Sequence, residues 1–166
     1  MDEIQERGVE IPELQTDFLF RRRPLALAAD LRPSWRIALL VLILRTCCRG
    51  RKSSRTRLHV ISWGLRNNQS RQELKAAVAG EVHPSILIVR FDPFLDRALD
   101  FAIGDALIAH DGGKNVRLTA TGSEFANELI AAEEVLKLEK TFLNELGNDV
   151  TEALINKMFG WNCMMI

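Results

Sequence analysis

The stretch LIAHDGGKNVRLT, residues 107–119, constrains the fold of this chain more than any other. Two short apolar runs flank the sequence DGGK at 111–114, and glycine accepts the positive φ angles that a tight hairpin turn requires. The pattern predicts strands over 107–110 and 115–119 that pair as a β-hairpin. Because helical patterns lie on both sides of it, the hairpin favours an α+β fold that is mainly helical.

Two helices are predicted upstream of residue 67. Ser34 is placed to cap a helix over 35–48, whose run IALLVLIL is apolar on nearly all sides and therefore belongs at the centre of the molecule. Ser53 or Ser54 caps a second helix that continues to about residue 66, with apolar residues at the spacing of one buried face.

A third helix, over 71–80, ends at a glycine. The β-branched run ILIVRF at 86–91 predicts a strand that pairs with the hairpin. Asp92 caps a fourth helix, and Pro93 occupies the first helical position, where the missing amide costs nothing. The predicted inner face of this helix consists of Phe94, Ala98, Phe101 or Ala102, and Leu107.

After the hairpin, residues 119–123 begin a long helix that runs to about 146, and a last helix follows over 149–159. One apolar stripe of the long helix suffices to pack on the core. A second stripe needs the last helix, a second copy of the chain or another protein to cover it. The second stripe consists of Ile130, Val135, Leu138 and Phe142.

The predicted order of elements is three helices, a strand, a helix, the hairpin and a helix. This is the order of an elaborated winged helix-turn-helix, with the hairpin as its wing. The sequence therefore predicts an N-terminal arm over 1–33, a winged-helix domain over 34–122 and a C-terminal helical extension over 123–166.

In a winged helix, the helix before the wing is the one that enters the DNA groove. Here that helix carries Asp92, Asp96 and Asp100 at a spacing of four, so the three carboxylates share one face. Acidic side chains repel phosphates, which disfavours DNA reading. A solvated helix face with Asp92 as its cap and an interface for a basic partner surface both remain open.

Basic residues are gathered elsewhere. Residues 1–75 hold 15 basic and 8 acidic side chains, whereas residues 76–166 hold 7 and 14. A corner near residue 50 and the wing are either solvated or contact a nucleic-acid backbone without reading bases. The candidates for such contacts are Arg49, Arg51, Lys52, Arg55 and Arg57 in the corner, and Lys114 and Arg117 on the wing.

Apolar residues near the two ends and on the long helix are candidates for partner binding, together with the three aspartates. They are Phe18, Phe20, Leu138, Phe142, Trp161 and Met164.

Catalytic signatures are missing from the sequence. It contains no G-x-x-x-x-G-K-[ST], no G-x-S-x-G, no H-E-x-x-H and no paired Cys/His spacing, and its three histidines are isolated. Cys47 and Cys48 are expected to be buried thiols. We therefore expect a noncatalytic protein without cofactor or metal. The apolar run at 37–44 is too short to cross a bilayer, and the acidic first residues do not resemble a signal peptide, so we expect a cytoplasmic location.

Three stretches together resemble the middle component of ABC three-component systems, a group that includes the small subunit of Lamassu-type bacterial defence complexes. They are RRRPLALAADLRPSW from residue 21, RFDPFLDRALDFAIGDALI from residue 90 and DGGKNVRLTATGSEFANEL from residue 111. The resemblance implies a noncatalytic winged-helix adaptor that binds an SMC-like ABC ATPase and an effector subunit, often a nuclease, in an antiphage or antiplasmid complex. The alternative from the residues alone is a winged-helix transcriptional regulator that binds DNA.

Overall fold

The computed structural model describes residues 32–160, and this part of the chain is mainly helical with a small antiparallel sheet, as expected. The helices are α1 Pro33–Thr46, α2 Arg55–Gly64, α3 Asn68–Ala79, α4 Pro93–Gly104, α5 Ala120–Ala131, α6 Lys137–Leu146 and α7 Glu152–Phe159. The strands are β1 Lys52–Ser54, β2 Ile108–His110 and β3 Asn115–Leu118.

Helix α1 lies at the centre, as its all-round apolar sequence predicts. Every side chain over 39–44 is buried, and the helix contacts α2, α4, α5 and α6. Each such side chain contributes about 1.5–3 kcal/mol by leaving water. The predicted cap was wrong: Ser34 lies inside the first turn, Pro33 is at the first helical position, and Arg32 precedes it without a side-chain cap bond. Proline at that position is already in helical geometry.

The hairpin is confirmed. Strands β2 and β3 pair antiparallel, with Ile108 opposite Leu118 and His110 opposite Val116, and both turn glycines have positive φ. The third strand is not the predicted one. It is β1, which pairs with the other edge of β3 and gives the order β1-β3-β2. Residues 87–91 lie outside this sheet, so the predicted strand that pairs with the hairpin was wrong.

The helix starts follow their capping residues. Ser54 Oγ accepts from the Arg57 amide at 3.2 Å, which confirms that α2 begins after Ser54. Helix α3 starts three residues earlier than predicted, because the Asn67 side chain accepts from the Ser70 amide at 2.8 Å and serves as its cap. Its end at Gly80, in the left-handed conformation, is as predicted.

The predicted long helix after the hairpin was wrong, because it is broken into α5 and α6. Leu136 has a left-handed φ of 51°, and the chain turns there. Lys140 Nζ donates to the carbonyls of Leu129 and Ala132, at 3.1 and 2.6 Å, and so satisfies carbonyls at the end of α5. The turn brings α6 back onto α1, which buries the apolar face of α6.

The sequence LTATG joins the hairpin to α5 through the side chain of Thr119 and the close packing of Gly122. Thr119 Oγ1 accepts from the Gly122 amide at 2.9 Å, and it lies 2.7 and 3.0 Å from the carbonyl oxygens of Ala106 and Leu107. A Cβ at Gly122 would lie 2.0 Å from the Leu107 oxygen, so only glycine fits. The expected domain boundary at 122/123 therefore falls inside α5, and α5 to α7 share one core with the preceding helices.

Candidate protein-interaction surface

The three aspartates of α4, which we call the acidic row, each face a basic or histidine side chain of the same chain. Asp92 pairs with Arg36 of α1, and the side chains of both are largely buried. Asp96 Oδ1 lies 3.1 Å from His59 Nε2, and Asp100 lies 4.0 Å from Arg55 Nη2. The row therefore lies along α1 and α2, and we call these three pairs the charged seam.

Asp92 has a second structural role as the cap of α4. Its Oδ1 accepts from the Phe94 amide at 2.9 Å, as the sequence predicted, and its charge lies at the positive end of the helix dipole. At the other end of the row, the Asp100 side chain is 68% exposed. The ionic contacts of the charged seam therefore weaken from the Asp92 end to the Asp100 end.

His59 lies at the middle of the seam and is buried. Its Nδ1 accepts from the Asp92 amide at 3.4 Å, so the ring proton lies on Nε2 and donates to Asp96. The ring stacks on Phe91, with centroids 4.6 Å apart, and Phe91 meets Phe159 edge-on at 5.6 Å. This histidine therefore fixes α4 and the preceding segment to α2.

Two phenylalanines that were predicted for the inner face of α4 lie on its outer face instead. Ala98 and Ala102 are buried as expected, but Phe94 and Phe101 are 64% and 55% exposed. Seven residues make about two turns, so both rings project from one face, with Arg97 between them in sequence. We call Phe94 and Phe101 the phenylalanine pair. The sequence pattern missed this exposure because phenylalanine is apolar on either face.

The segment before α4 also exposes apolar side chains. Ile86 and Ile88 are exposed beside a groove of about 720 Å³ that runs along α3. Trp63, Arg66 and Arg90 line both this groove and a second hollow of about 300 Å³, which reaches Trp35 at the start of α1. None of these residues is predicted as a site residue from the sequence, because exposure and grooves depend on tertiary packing.

The basic corner is not one continuous basic surface. Lys52 and Arg117 lie on paired strands and both approach Asp111, at 2.9 and 3.7 Å. Arg51 Nη1 donates to Ser123 Oγ at 3.0 Å, and Arg55 belongs to the charged seam. Within residues 32–160, the candidates that remain exposed without an ion pair are Arg49, Arg51 and Lys114.

Arg57 is buried and cannot contact a nucleic-acid backbone, so this candidate is corrected. Its Nη2 donates to the Cys47 carbonyl at 2.5 Å. The neighbouring thiols are buried as expected, and burial raises the pKa of Cys47 to about 12 and raises the pKa of Cys48. Both thiols therefore stay protonated at neutral pH, and Arg57 holds the turn after α1.

The two apolar candidates on α6 differ. Leu138 is 68% exposed and remains available to a partner, whereas Phe142 is 3% exposed. Phe142 packs near Gly64 of α2 and lies within 6 Å of the cationic groups of Arg71 and Lys75. Its assignment as a partner-binding residue is therefore wrong, because the fold itself uses it. The other four apolar candidates, Phe18, Phe20, Trp161 and Met164, lie outside the described residues.

Comparison with protein-family models, with curated proteins and with solved structures gave no match. Within residues 32–160, no helix is long and apolar enough to span a bilayer. The same range holds no cluster of three or more side chains able to ligate a metal.

Proposed function

We propose that this protein is a noncatalytic adaptor subunit built on an elaborated winged helix, and that the phenylalanine pair of α4 docks on a partner protein. The winged-helix proposal is supported by the topology. A helix is followed by a short strand, further helices and a hairpin, and the first strand joins the hairpin in one sheet. In that arrangement α4 lies directly before the hairpin, at the position of the helix that contacts the bound molecule in a winged helix.

The observation that carries the protein-binding proposal is the composition of the outer face of α4. Two aromatic rings project there, while the aspartates of the same helix face α1 and α2. A helix that reads bases needs polar and basic side chains on its outer face. Exposed aromatic residues are instead typical of the centres of protein interfaces.

The partner class comes from the resemblance to the middle component of ABC three-component systems. It gives an SMC-like ABC ATPase and an effector subunit, often a nuclease in such systems, as the proteins this chain binds in a bacterial antiphage or antiplasmid complex. Nonspecific DNA contact within such a complex would fall to the exposed Arg49 and Lys114. The cytoplasmic location that we expect follows from the same proposal.

The proposal is tested by coexpressing the full chain with the ATPase and effector encoded by flanking genes. We expect a stable complex, and we expect Phe94→Ala/Phe101→Ala to weaken it at least about 30-fold, as for interface hot spots. The control, Ile130→Ala/Val135→Ala, removes exposed apolar side chains from the region after the hairpin. Equal losses in both variants, or a wild-type chain without affinity for either neighbour, would contradict the proposal.

A winged-helix DNA-binding regulator is the second candidate. Arg97 on α4 and Lys114 at the tip of the hairpin are exposed on the two elements that contact DNA in such proteins. A regulator would bind its own promoter with sequence preference at moderate salt and lose binding on Arg97→Glu. Nonspecific backbone contact would instead be sequence-independent and fall steeply with salt.

A further inference from the structure

Residues 87–91 form no regular element and pair with no strand of the described chain, and Leu87 and Asp92 at the two ends have extended backbone angles. Leu87 and Val89 pack against the core, while Ile88 and Arg90 between and after them are exposed. This alternation has the period of two that a half-buried strand shows. The sequence predicted a strand here from its β-branched, apolar residues, and what is missing is the neighbouring strand.

The backbone of this segment is also unpaired. Within residues 32–160, the amides of Ile88, Val89, Arg90 and Phe91 donate to no acceptor, and the next amide, that of Asp92, donates to His59. An extended segment with open amides and carbonyls is a template for an added strand. The segment therefore offers main-chain hydrogen bonds to an extended peptide.

The adjoining groove indicates what kind of peptide fits. Its apolar lining includes Trp63, Val82 and Ile86, and the side chains of Arg66 and Arg90 have no ionic partner within the described chain. Glu73 is the single acidic residue of the lining, and Gln69 donates to it at 2.8 Å. The groove therefore favours an extended segment with acidic and apolar side chains.

We propose that residues 9–20 of this same chain occupy the groove as a strand added along 87–91. Their sequence, VEIPELQTDFLF, has three acidic residues, no basic residue and six apolar residues other than proline. Pro12 is compatible with this placement, because an added strand is an edge strand, where a missing amide is tolerated. The acidic side chains would meet Arg66 and Arg90, and the apolar ones would cover Ile86 and Ile88.

Chain connectivity allows the placement. Helix α1 begins at Pro33, and Trp35 in its first turn lines the hollow that adjoins the groove. Residues 21–31 can span up to about 36 Å when extended. This inference concerns the chain alone and does not depend on the adaptor proposal.

The test is backbone amide exchange in the full-length chain at low concentration, measured by NMR. Alternate amides of residues 88–91 should exchange at least about tenfold more slowly than unstructured amides, because alternate amides of a strand face the added neighbour. The variant Glu10→Lys/Glu13→Lys/Asp17→Lys should abolish that protection. Adding Arg66→Glu/Arg90→Glu to the same chain should restore it.

A matched control carries the same change of charge on exposed residues after the hairpin: Glu124→Lys/Glu128→Lys/Glu133→Lys. It should leave the protection as in wild type. Three outcomes would overturn the proposal. They are unprotected amides in the wild-type chain, protection that survives the first charge reversal, and protection that rises with protein concentration, which would assign the strand to a second copy.

Discussion

The charged seam and the phenylalanine pair lie on one helix, α4, and differ in what they contact. The acidic row of the seam drew attention in the sequence, yet it faces Arg36, His59 and Arg55 of the same chain. The two phenylalanines look like core residues in the sequence, yet both are exposed. A cluster of charged residues in a sequence therefore indicates a partner-binding site only when the chain itself does not supply the opposite charges.

The same contrast appears between the hairpin and the segment before α4. Both were predicted as β structure, the hairpin from turn glycines between apolar runs and residues 86–91 from a β-branched, apolar run. The hairpin strands find each other through a local turn, and β1 completes the sheet, whereas residues 87–91 are left with an open backbone. The strands of the hairpin have their backbone groups satisfied by neighbouring strands, whereas the open backbone of residues 87–91 lies beside the exposed apolar side chains of Ile86 and Ile88.

The largest effect is expected for two apolar residues of α6, which test the contrast between covered and open regions. We expect Phe142→Ala to lower the free energy of unfolding by about 3–5 kcal/mol, because the buried ring leaves a cavity. Leu138→Ala should change it by less than about 0.5 kcal/mol, because its side chain is exposed. Urea unfolding measures both. Similar losses in the two variants would mean that the outer face of α6 is also covered.

Local signals of the sequence predicted much of the fold. The hairpin followed from paired glycines between apolar runs, α4 from Asp92-Pro93, α2 from Ser54, and the central position of α1 from its apolar circumference. These features depend on neighbours within a few residues. Nothing in the sequence marked the break at Leu136, because no glycine or proline lies there and the turn forms to bring α6 onto α1.

The candidate site was less predictable, because it depends on which distant side chains meet. Asp92 was predicted as a cap, but its pairing with Arg36, 56 positions earlier, follows from tertiary packing. Arg57 reads as one more member of a basic run, although its position inside α2 directs it into the core. Strand β1 escaped prediction because three residues, two of them serine, show no strand pattern.

A smaller effect on stability is expected for two glycines, one packed tightly against its neighbours and one with open space around it. Gly122→Ala should destabilise the protein by about 3 kcal/mol, at the upper end for overpacking, because the new Cβ meets the backbone oxygen of Leu107. Gly104→Ala, at the end of α4, meets no atom within 4 Å and should stabilise by about 0.4–1 kcal/mol. Thermal unfolding of both variants measures the difference. A neutral Gly122→Ala would show that the hairpin and α5 are not closely joined.

The smallest effects on stability are expected at the two ends of the charged seam, Asp92 and Asp100, and they should differ from each other. Asp92→Ala should cost about 2 kcal/mol, because it removes both the cap of α4 and the pair with a largely buried Arg36. Asp92→Asn keeps a side chain that can cap the helix and should cost about half as much.

Asp100→Ala is the matched control at the exposed end of the seam. We expect a change of less than about 0.5 kcal/mol, because its carboxylate lies 4.0 Å from Arg55 in a well-solvated position. A slight gain is also consistent, since an acidic residue near the end of α4 opposes the helix dipole. Urea unfolding in low and high salt distinguishes the cases, because screening acts mainly on exposed charges. If Asp100→Ala cost as much as Asp92→Ala, the three aspartates would form one continuous electrostatic contact, and none of them would be available to a partner.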